Sequence, residues 1–492
     1  MTSTEIILAP PRNTVRPQVG TEPVAVRVAR LAGSLTRVTR NTLLDLRYRP
    51  AKTRTARMLV LIAAHNEGSH DGSAPVGQTP IERTLASIEK QSRRPDRVVV
   101  IVDNCDDDTE ERARQFKWVT VMRTVDNTDR KVGALTDGWR RWQAGYDFVA
   151  GVDADTILDP KCLEQLESEM VRNKKAGGVM ARYTIARADG AGMVQRALTL
   201  VQIMDFASWT SDLLRRDRKT YVLGGQATLF RAETLRAVTE QHHQHGPWDP
   251  NEDVEDMALT WQMHGLGMET IVSANARAWV GGMPTVRALV GQRQKWVEGM
   301  VGLLRRHGFS STTMLPWRQQ FGLVVNGAVR VVFLLLLAAA LSAGQFRWSW
   351  WWLTPTAVAM LLNLRTAWRI PGRRPTDLLF AVSLIPMELF LWLQIRCTAI
   401  AWYHVLLGRK RDGWAAQAKA EAGLGGGAGK IIGFLAAAVV AAVAIAYGWT
   451  QLDPDWQRLA LTYGWSCLAV VTICQTVGMA WRLVRPTRGF RP

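Results

Sequence analysis

Cysteine is scarce in this chain of 492 residues, and the five present (Cys105, Cys162, Cys397, Cys467, Cys474) include no C-x-x-C pair. A disulfide framework is therefore excluded, and the soluble part of the chain is expected in a reducing compartment. Histidine is also sparse at 8 residues, and His242, His243 and His245 have no partner cluster at metal-ligand spacing. They read as a solvated loop rather than a zinc site. The glycine-rich stretch 423–429 follows no strand, which argues against a dinucleotide fingerprint and for a linker. The N-terminus has no apolar core of signal-peptide type, so a cleaved export signal is not expected. No groove-reading module appears, and nucleic acid is not expected as a partner.

What is present is strongly uneven. The apolar share of 47% is ordinary, but residues 58–300 alternate apolar with charged stretches, whereas long apolar runs dominate from about residue 317. The net charge of +18 admits nucleic acid or an anionic lipid surface as partner. The basic residues crowd into 12–57 and beside the apolar runs (Arg373, Arg374, Arg409, Lys410, Arg411, Arg482, Arg485, Arg488), which favours the lipid bilayer. Many of the 21 tryptophans lie in or next to those runs, as interfacial belts require. Three regions follow: a basic N-terminal region over 1–57, a soluble domain over 58–316, and interfacial and transmembrane helices over 317–492.

Residues 1–22 read as disordered, and 23–48 as a basic amphipathic helix lying either on the membrane surface or on the soluble domain. Next come short β-branched runs separated by helical stretches. Strands are predicted at 58–64, 97–102, 118–122 and 148–152, and helices at 80–91, 107–115 and 131–142. This alternation predicts an α/β domain built on a Rossmann-like parallel or mixed sheet, with ligands at the carboxyl ends of the strands. The apolar runs at 321–343, 350–368, 378–407, 431–449 and 457–481 can span or nearly span a bilayer. The run 378–407 contains Pro386, Glu388 and Arg396 and is read as re-entrant, interfacial or a bent hairpin, leaving about four crossings.

The polar clusters gather at the strand ends. Asp153 and Asp155 follow an apolar strand and can share one hard cation that also binds a diphosphate, Mn²⁺ or Mg²⁺. Asp103, in VDNCDDDT, can hydrogen-bond a base or ribose edge, while Asp106 or Asp107 caps the next helix. Lys131 stands beside Gly133 at a helix start, suited to a phosphate or to solvent. Glu255 and Asp256 stand in VEDMALTW, leading to Gly265, where a fixed carboxylate can take a proton from an acceptor hydroxyl. Gln292, Arg293, Lys295 and Trp296 can clamp a pyrophosphate and stack on a sugar ring, or serve as a juxtamembrane anchor.

Taken in order, these residues resemble the family-2 inverting glycosyltransferases of GT-A fold, and specifically the membrane-integrated processive synthases of cellulose, chitin, hyaluronan and poly-N-acetylglucosamine. The resemblance is close over 58–300. It implies nucleotide contacts for His65, Asn66, Glu67, Asp103 (to uridine) and Lys131, and the D-x-D metal motif for Asp153 and Asp155. Gly224 and Gly225 resemble the acceptor-side glycine segment, and Glu255-Asp256 the E-D pair with Asp256 as general base. Gln292, Arg293 and Trp296 match Q-x-x-R-W, with Lys295 where arginine is usual, a change that keeps the charge but loses the planar fork.

The expected protein is an inverting, metal-dependent transferase of the inner membrane with a cytoplasmic catalytic domain. It would move a sugar from a nucleotide-sugar donor, a UDP-sugar first of all, to a growing polysaccharide acceptor. A transferase making a lipid-linked or single-sugar product, and a nucleotide-binding export component, are the two alternatives. The motifs point to no particular sugar and to no protein partner.

Overall fold

The computed structural model describes residues 56–70, 74–187, 191–409, 412–423, 443–445 and 447–487. The amphipathic helix expected at 23–48, the linker at 424–429 and most of the apolar run 431–449 lie outside the described residues. The chain divides into two compact units. One takes in 56–187, 205–282 and 486–487; the other takes in 191–204 and 283–485.

In the first unit the apolar runs become β1 (Met58–Ala64), β2 (Arg97–Val102) and β4 (Phe148–Val152), as their composition predicts. Met58, Leu59, Leu61, Ile62 and Ile101 are wholly buried, as expected for strands covered on both faces. Between β1 and β2 lies α1 (Pro80–Glu89), opened by Pro80 and by Thr79, whose N–H and hydroxyl both donate to Glu82. The second helix, α2 (Thr109–Arg114), starts later than the sequence suggests. Asp107 Oδ1 accepts from the Thr109 N–H and hydroxyl, which keeps residues 107 and 108 outside the helix. The third strand, β3 (Thr120–Arg123), also starts late, because Phe116–Val119 form a turn and pairing with β2 begins at Val99 opposite Thr120.

The unit continues through α3 (Arg130–Trp142), β5 (Ile157–Leu158), α4 (Cys162–Arg172), β6 (Ala176–Ile185), α5 (Met193–Arg215, which contributes to both units), β7 (Ala227–Arg231), α6 (Ala232–Gln241), α7 (Glu255–Gly265) and β8 (Glu269–Val280). The eight strands form one sheet in the order β3-β2-β1-β4-β7-β6-β8-β5. Its first half is parallel, and the sheet becomes mixed at β7, which runs antiparallel to both β4 and β6. The β4–β7 pairing sets Val152 opposite Ala227, so the end of β4 faces the start of β7. That junction brings the D-x-D turn to the glycine segment.

The second unit is helical: α8 (Val286–His307), α9 (Met314–Ser342), a 3₁₀ turn (Trp350–Leu353), α10 (Thr354–Ala367), α11 (Pro375–Ser383), α12 (Ile385–Leu406), α13 (Gly413–Glu421) and α14 (Pro454–Val484). Among the described residues, α9, α12 and α14 are long and apolar enough to cross a membrane. The run 378–407 is divided into α11 and α12 at Leu384, whose φ of 56° breaks the helix just ahead of Pro386. At 14 residues, α10 extends about 21 Å at ~1.5 Å per residue, short of a bilayer core of about 30 Å. Glu388 of α12 pairs with Arg330 of α9, Nη2 to Oε2 at 2.8 Å, and Arg330 also donates to Asn326. Two contact zones along α14 differ in chemistry. At one, Trp352 stacks on Trp465 with ring centroids 5.2 Å apart. At the other, Arg365 donates to the carbonyls of Arg482 at 2.6 Å and Arg485 at 2.9 Å.

Candidate active site

Two sheet-end loops build the first part of the site. The loop after β1 is tied to the loop after β2: the His65 ring meets the Asp103 carbonyl at 2.7 Å, and the Asn66 side chain accepts from the Asp106 N–H at 3.0 Å. The Glu67 N–H donates to the Thr109 hydroxyl at 2.8 Å, and the Gly68 N–H to the Asp107 carboxylate at 2.7 Å. Asn66 and Asn104 both adopt left-handed backbone, with φ of 57° and 49°, a conformation asparagine tolerates better than most residues. The motif around His65 thus acts on the loop bearing Asp103, a buried carboxylate at the end of β2.

The second part is a pocket lined by Lys131, Leu135, Asp153, Gly225, Trp248, Glu255 and Asp256, among others. Lys131 sits in the first turn of α3, and its ammonium lies 2.6 Å from Asp153 Oδ1 and 3.7 Å from Glu255 Oε1. Burial alone would lower its pKa, but the charges of Asp153, Glu255 and Asp256 hold it well above the ordinary lysine value. Asp153 and Asp155 flank the buried Ala154 in a tight turn, closed by a Thr156 N–H to Asp153 carbonyl bond of 3.1 Å. Burial and the neighbouring charge of Asp153 push the Asp155 carboxyl above its usual range.

Glycines permit these contacts. A Cβ on Gly225 would stand 2.6 Å from the Lys131 ammonium and 3.3 Å from Asp153 Oδ1. A Cβ on Gly224 would meet the Tyr183 ring at 3.0 Å, and the Tyr183 and Thr228 hydroxyls donate to the Gly224 carbonyl at 2.8 and 2.6 Å. The segment therefore has its backbone fixed and its side without bulk. Glu255 and Asp256 open α7, whose Thr260 hydroxyl donates to the Asp256 carbonyl and accepts from the Leu223 N–H, tying the helix to the glycine segment. Glu255 is buried and engaged by Lys131, while Asp256 is more open and lines the pocket.

Gln292, Arg293, Lys295 and Trp296 belong to α8, in the helical unit. The Arg293 guanidinium lies over the Trp296 ring at 4.6 Å and the Phe390 ring at 5.4 Å, and Lys295 lies over Trp414 of α13. Arg293 and Lys295 are buried, and Trp296 is half-buried.

Sequence reasoning overlooked Thr124, Asn127, Tyr183 and Trp248. The first two hold Asp103, Tyr183 holds the glycine segment, and Trp248 lines the pocket. Their only local signal is that Thr124 and Asn127 follow a strand; Tyr183 and Trp248 become meaningful only through long-range contacts.

Comparison with known proteins identifies the family of this domain. The family described as glycosyltransferase like family 2 matches residues 56–299. A poly-β-1,6-N-acetyl-D-glucosamine synthase of Staphylococcus epidermidis is 26% identical over 256 residues, covering 51% of this chain and 56% of that protein. A poly-β-1,6-N-acetyl-D-glucosamine synthase of Staphylococcus aureus (strain COL) is likewise 26% identical over 256 residues, with the same coverage. The match thus spans little more than half the length of these relatives. Among solved structures, a mannosyltransferase of Pyrobaculum calidifontis in complex with GDP-Man and Mn²⁺ shares 15% identity at a TM-score of 0.42, covering 75% of this chain and 97% of that one. Over residues 56–299, about half its length, this chain is a family-2 glycosyltransferase domain with a GT-A-like mixed sheet.

Proposed function

We propose that the protein transfers a sugar, with inversion, from a nucleotide-sugar donor to a growing polysaccharide at a membrane. The observation that supports this most directly is the single pocket shared by Lys131, Asp153, Glu255 and Asp256. Its positive group is positioned to meet a diphosphate, and its open carboxylate to meet an acceptor. Of the two acids, Asp256 is the better general base, because it is less buried than Glu255 and so more accessible to an acceptor entering the pocket. Asp256 takes the proton from the acceptor hydroxyl as that oxygen attacks the anomeric carbon, and the bond to the nucleoside diphosphate breaks. Lys131 stabilises the negative charge gathering on the departing diphosphate.

Asp153 and Asp155 fit a hard divalent cation. They are an all-oxygen pair on one tight turn, and burial together with the charge of Asp153 raises the Asp155 carboxyl, a penalty that a bound cation would relieve. A bound Mn²⁺ or Mg²⁺ would neutralise charge on the donor diphosphate. Asp103 would receive the base, with His65, Asn66 and Glu67 holding its loop. Gln292, Arg293, Lys295 and Trp296 would serve the acceptor and processive transfer, since Arg293 braces the Trp296 indole as a platform for a sugar ring. The names of the relatives make UDP-N-acetylglucosamine the first donor to try. The basic residues around Arg365, Arg482 and Arg485 would face the cytoplasm with the catalytic domain, and the apolar helices would cross the inner membrane.

The test is Asp256→Asn in the full chain in detergent, assayed with UDP-N-acetylglucosamine and Mn²⁺. Transfer should fall by about 10²–10⁴ while UDP affinity is kept. An Asp256→Asn protein of undiminished transfer rate would remove the base assignment. Product length on gels reads processivity: a ladder or high polymer supports it, and a single added sugar refutes it.

A further inference from the structure

One oxygen of the Asp103 carboxylate is crowded with donors. Oδ1 accepts from the Thr124 hydroxyl at 2.8 Å, the Asn127 amide at 2.8 Å and the Asn104 amide at 3.2 Å. Oδ2 has no hydrogen-bond partner among the described residues. Asn127 is the hub of this arrangement. Its amide nitrogen also donates to the Arg130 carbonyl at 2.7 Å, its side-chain oxygen accepts from the Asp129 N–H at 3.0 Å, and its main-chain carbonyl accepts from the Asn104 amide at 2.9 Å. The loop it ties has a left-handed residue on each side, Asp126 with φ 48° and Arg130 with φ 54°. Such conformations persist only where surrounding contacts over-determine them. Gly133 makes room for the hub, because a Cβ there would overlap the Asn127 side-chain oxygen.

We propose that Asn127 is a positioning residue for base recognition: it locks Asp103 with one oxygen occupied and one oxygen left to accept from the base. The proposal rests on Asp103 facing the base, as argued above. A base edge with one N–H between two carbonyls, as in uracil, suits a carboxylate presenting a single acceptor. A second free oxygen would set its lone pairs against those of a base carbonyl, and here that oxygen is saturated by Thr124, Asn127 and Asn104. Guanine offers two adjacent N–H donors and is best matched by both oxygens of a carboxylate, as bidentate partners are. A locked Asp103 therefore disfavours guanine, and releasing it relaxes the choice. The same loop leads directly into Lys131, so one hub sets both the base contact and the start of the helix that carries the ammonium.

The experiment measures UDP and GDP binding to the full chain in detergent with Mn²⁺, for the native protein, Asn127→Ala, Gly133→Ala and Thr124→Val. The native protein should prefer UDP. In Asn127→Ala and Gly133→Ala the UDP-over-GDP affinity ratio should fall about tenfold, the size expected for one charge-assisted hydrogen bond. Thr124→Val, which removes one donor without touching the hub, should show a smaller fall. General loosening of the site would weaken both nucleotides together and leave the ratio unchanged, which overturns the proposal. Asp103→Ala separates the two layers. If it loses UDP binding while the other variants keep the native ratio, Asp103 reads the base and Asn127 does not set the selectivity. If it binds UDP normally, the base assignment fails and the inference falls with it.

Discussion

Lys131, in the first turn of α3, and Asp153, directly after β4, meet at 2.6 Å in the candidate site. With Glu255 3.7 Å away and Asp256 in the same pocket, one ammonium balances several carboxylates. On the proposed reading, the pocket would accept a diphosphate only while that ammonium, or a cation at Asp153 and Asp155, offset the acids.

Replacing Lys131 with Met should therefore weaken UDP binding by at least about tenfold, since a charge-assisted contact to phosphate is lost and uncompensated acids remain. Gly225→Ala should act in the same direction without removing any charge, because its Cβ would stand 2.6 Å from the ammonium and displace it. Calorimetric titration with UDP checks both. Native affinity in both variants would exclude Lys131 as a phosphate contact.

Acid should unfold the first unit through the loops around α1 and α2. Burial by itself would raise the Glu82 carboxyl, but hydrogen bonds from Thr79, the Gly77 N–H and Arg112 hold it below its ordinary value. Asp108 is likewise raised by burial yet held low overall by Arg112 and the Ser69 N–H. A depressed folded pKa contributes stability that is present above the unfolded pKa, near pH 4, and is lost as pH falls through the folded pKa. The melting temperature should thus drop below about pH 4. Glu82→Gln should melt lower than the native protein at pH 7 and approach it near pH 3, and a gap that stays constant across this range would count against the network.

Arg330 and Glu388 should be worth more as a pair than either is alone. Each sits on a helix apolar enough to cross a membrane, where an uncompensated charge costs about 3 kcal/mol. Glu388→Leu should destabilise the helical unit by roughly this amount, and Arg330→Leu/Glu388→Leu by clearly less. Thermal unfolding in detergent or lipid nanodiscs of the two single variants and the double variant gives the coupling. Additive losses would show that the pair does not hold α9 to α12.

Much of this protein is legible in its sequence because burial demands it. MLVLIAA, RVVVIV and FVAGV can only be strands with both faces covered, and β1, β2 and β4 fall on those bounds. Asp103, Asp153 and Asp155 stand out because acids directly after such strands sit at the sheet edge where ligands gather. The starts of α2 and β3 were less legible, since side-chain bonds of Asp107 and a turn at Phe116–Val119 moved each by two residues.

Composition and local pattern alone determined that this chain has an α/β half and an apolar helical half, because hydrophobic periodicity and run length are properties of neighbouring residues. Only the tertiary structure decided that β7 runs antiparallel, that Lys131 meets Asp153 and Glu255, and that Thr124 and Asn127 converge on Asp103. Those outcomes depend on which residues distant in the chain come within hydrogen-bonding reach, and a sequence read segment by segment carries no measure of that distance.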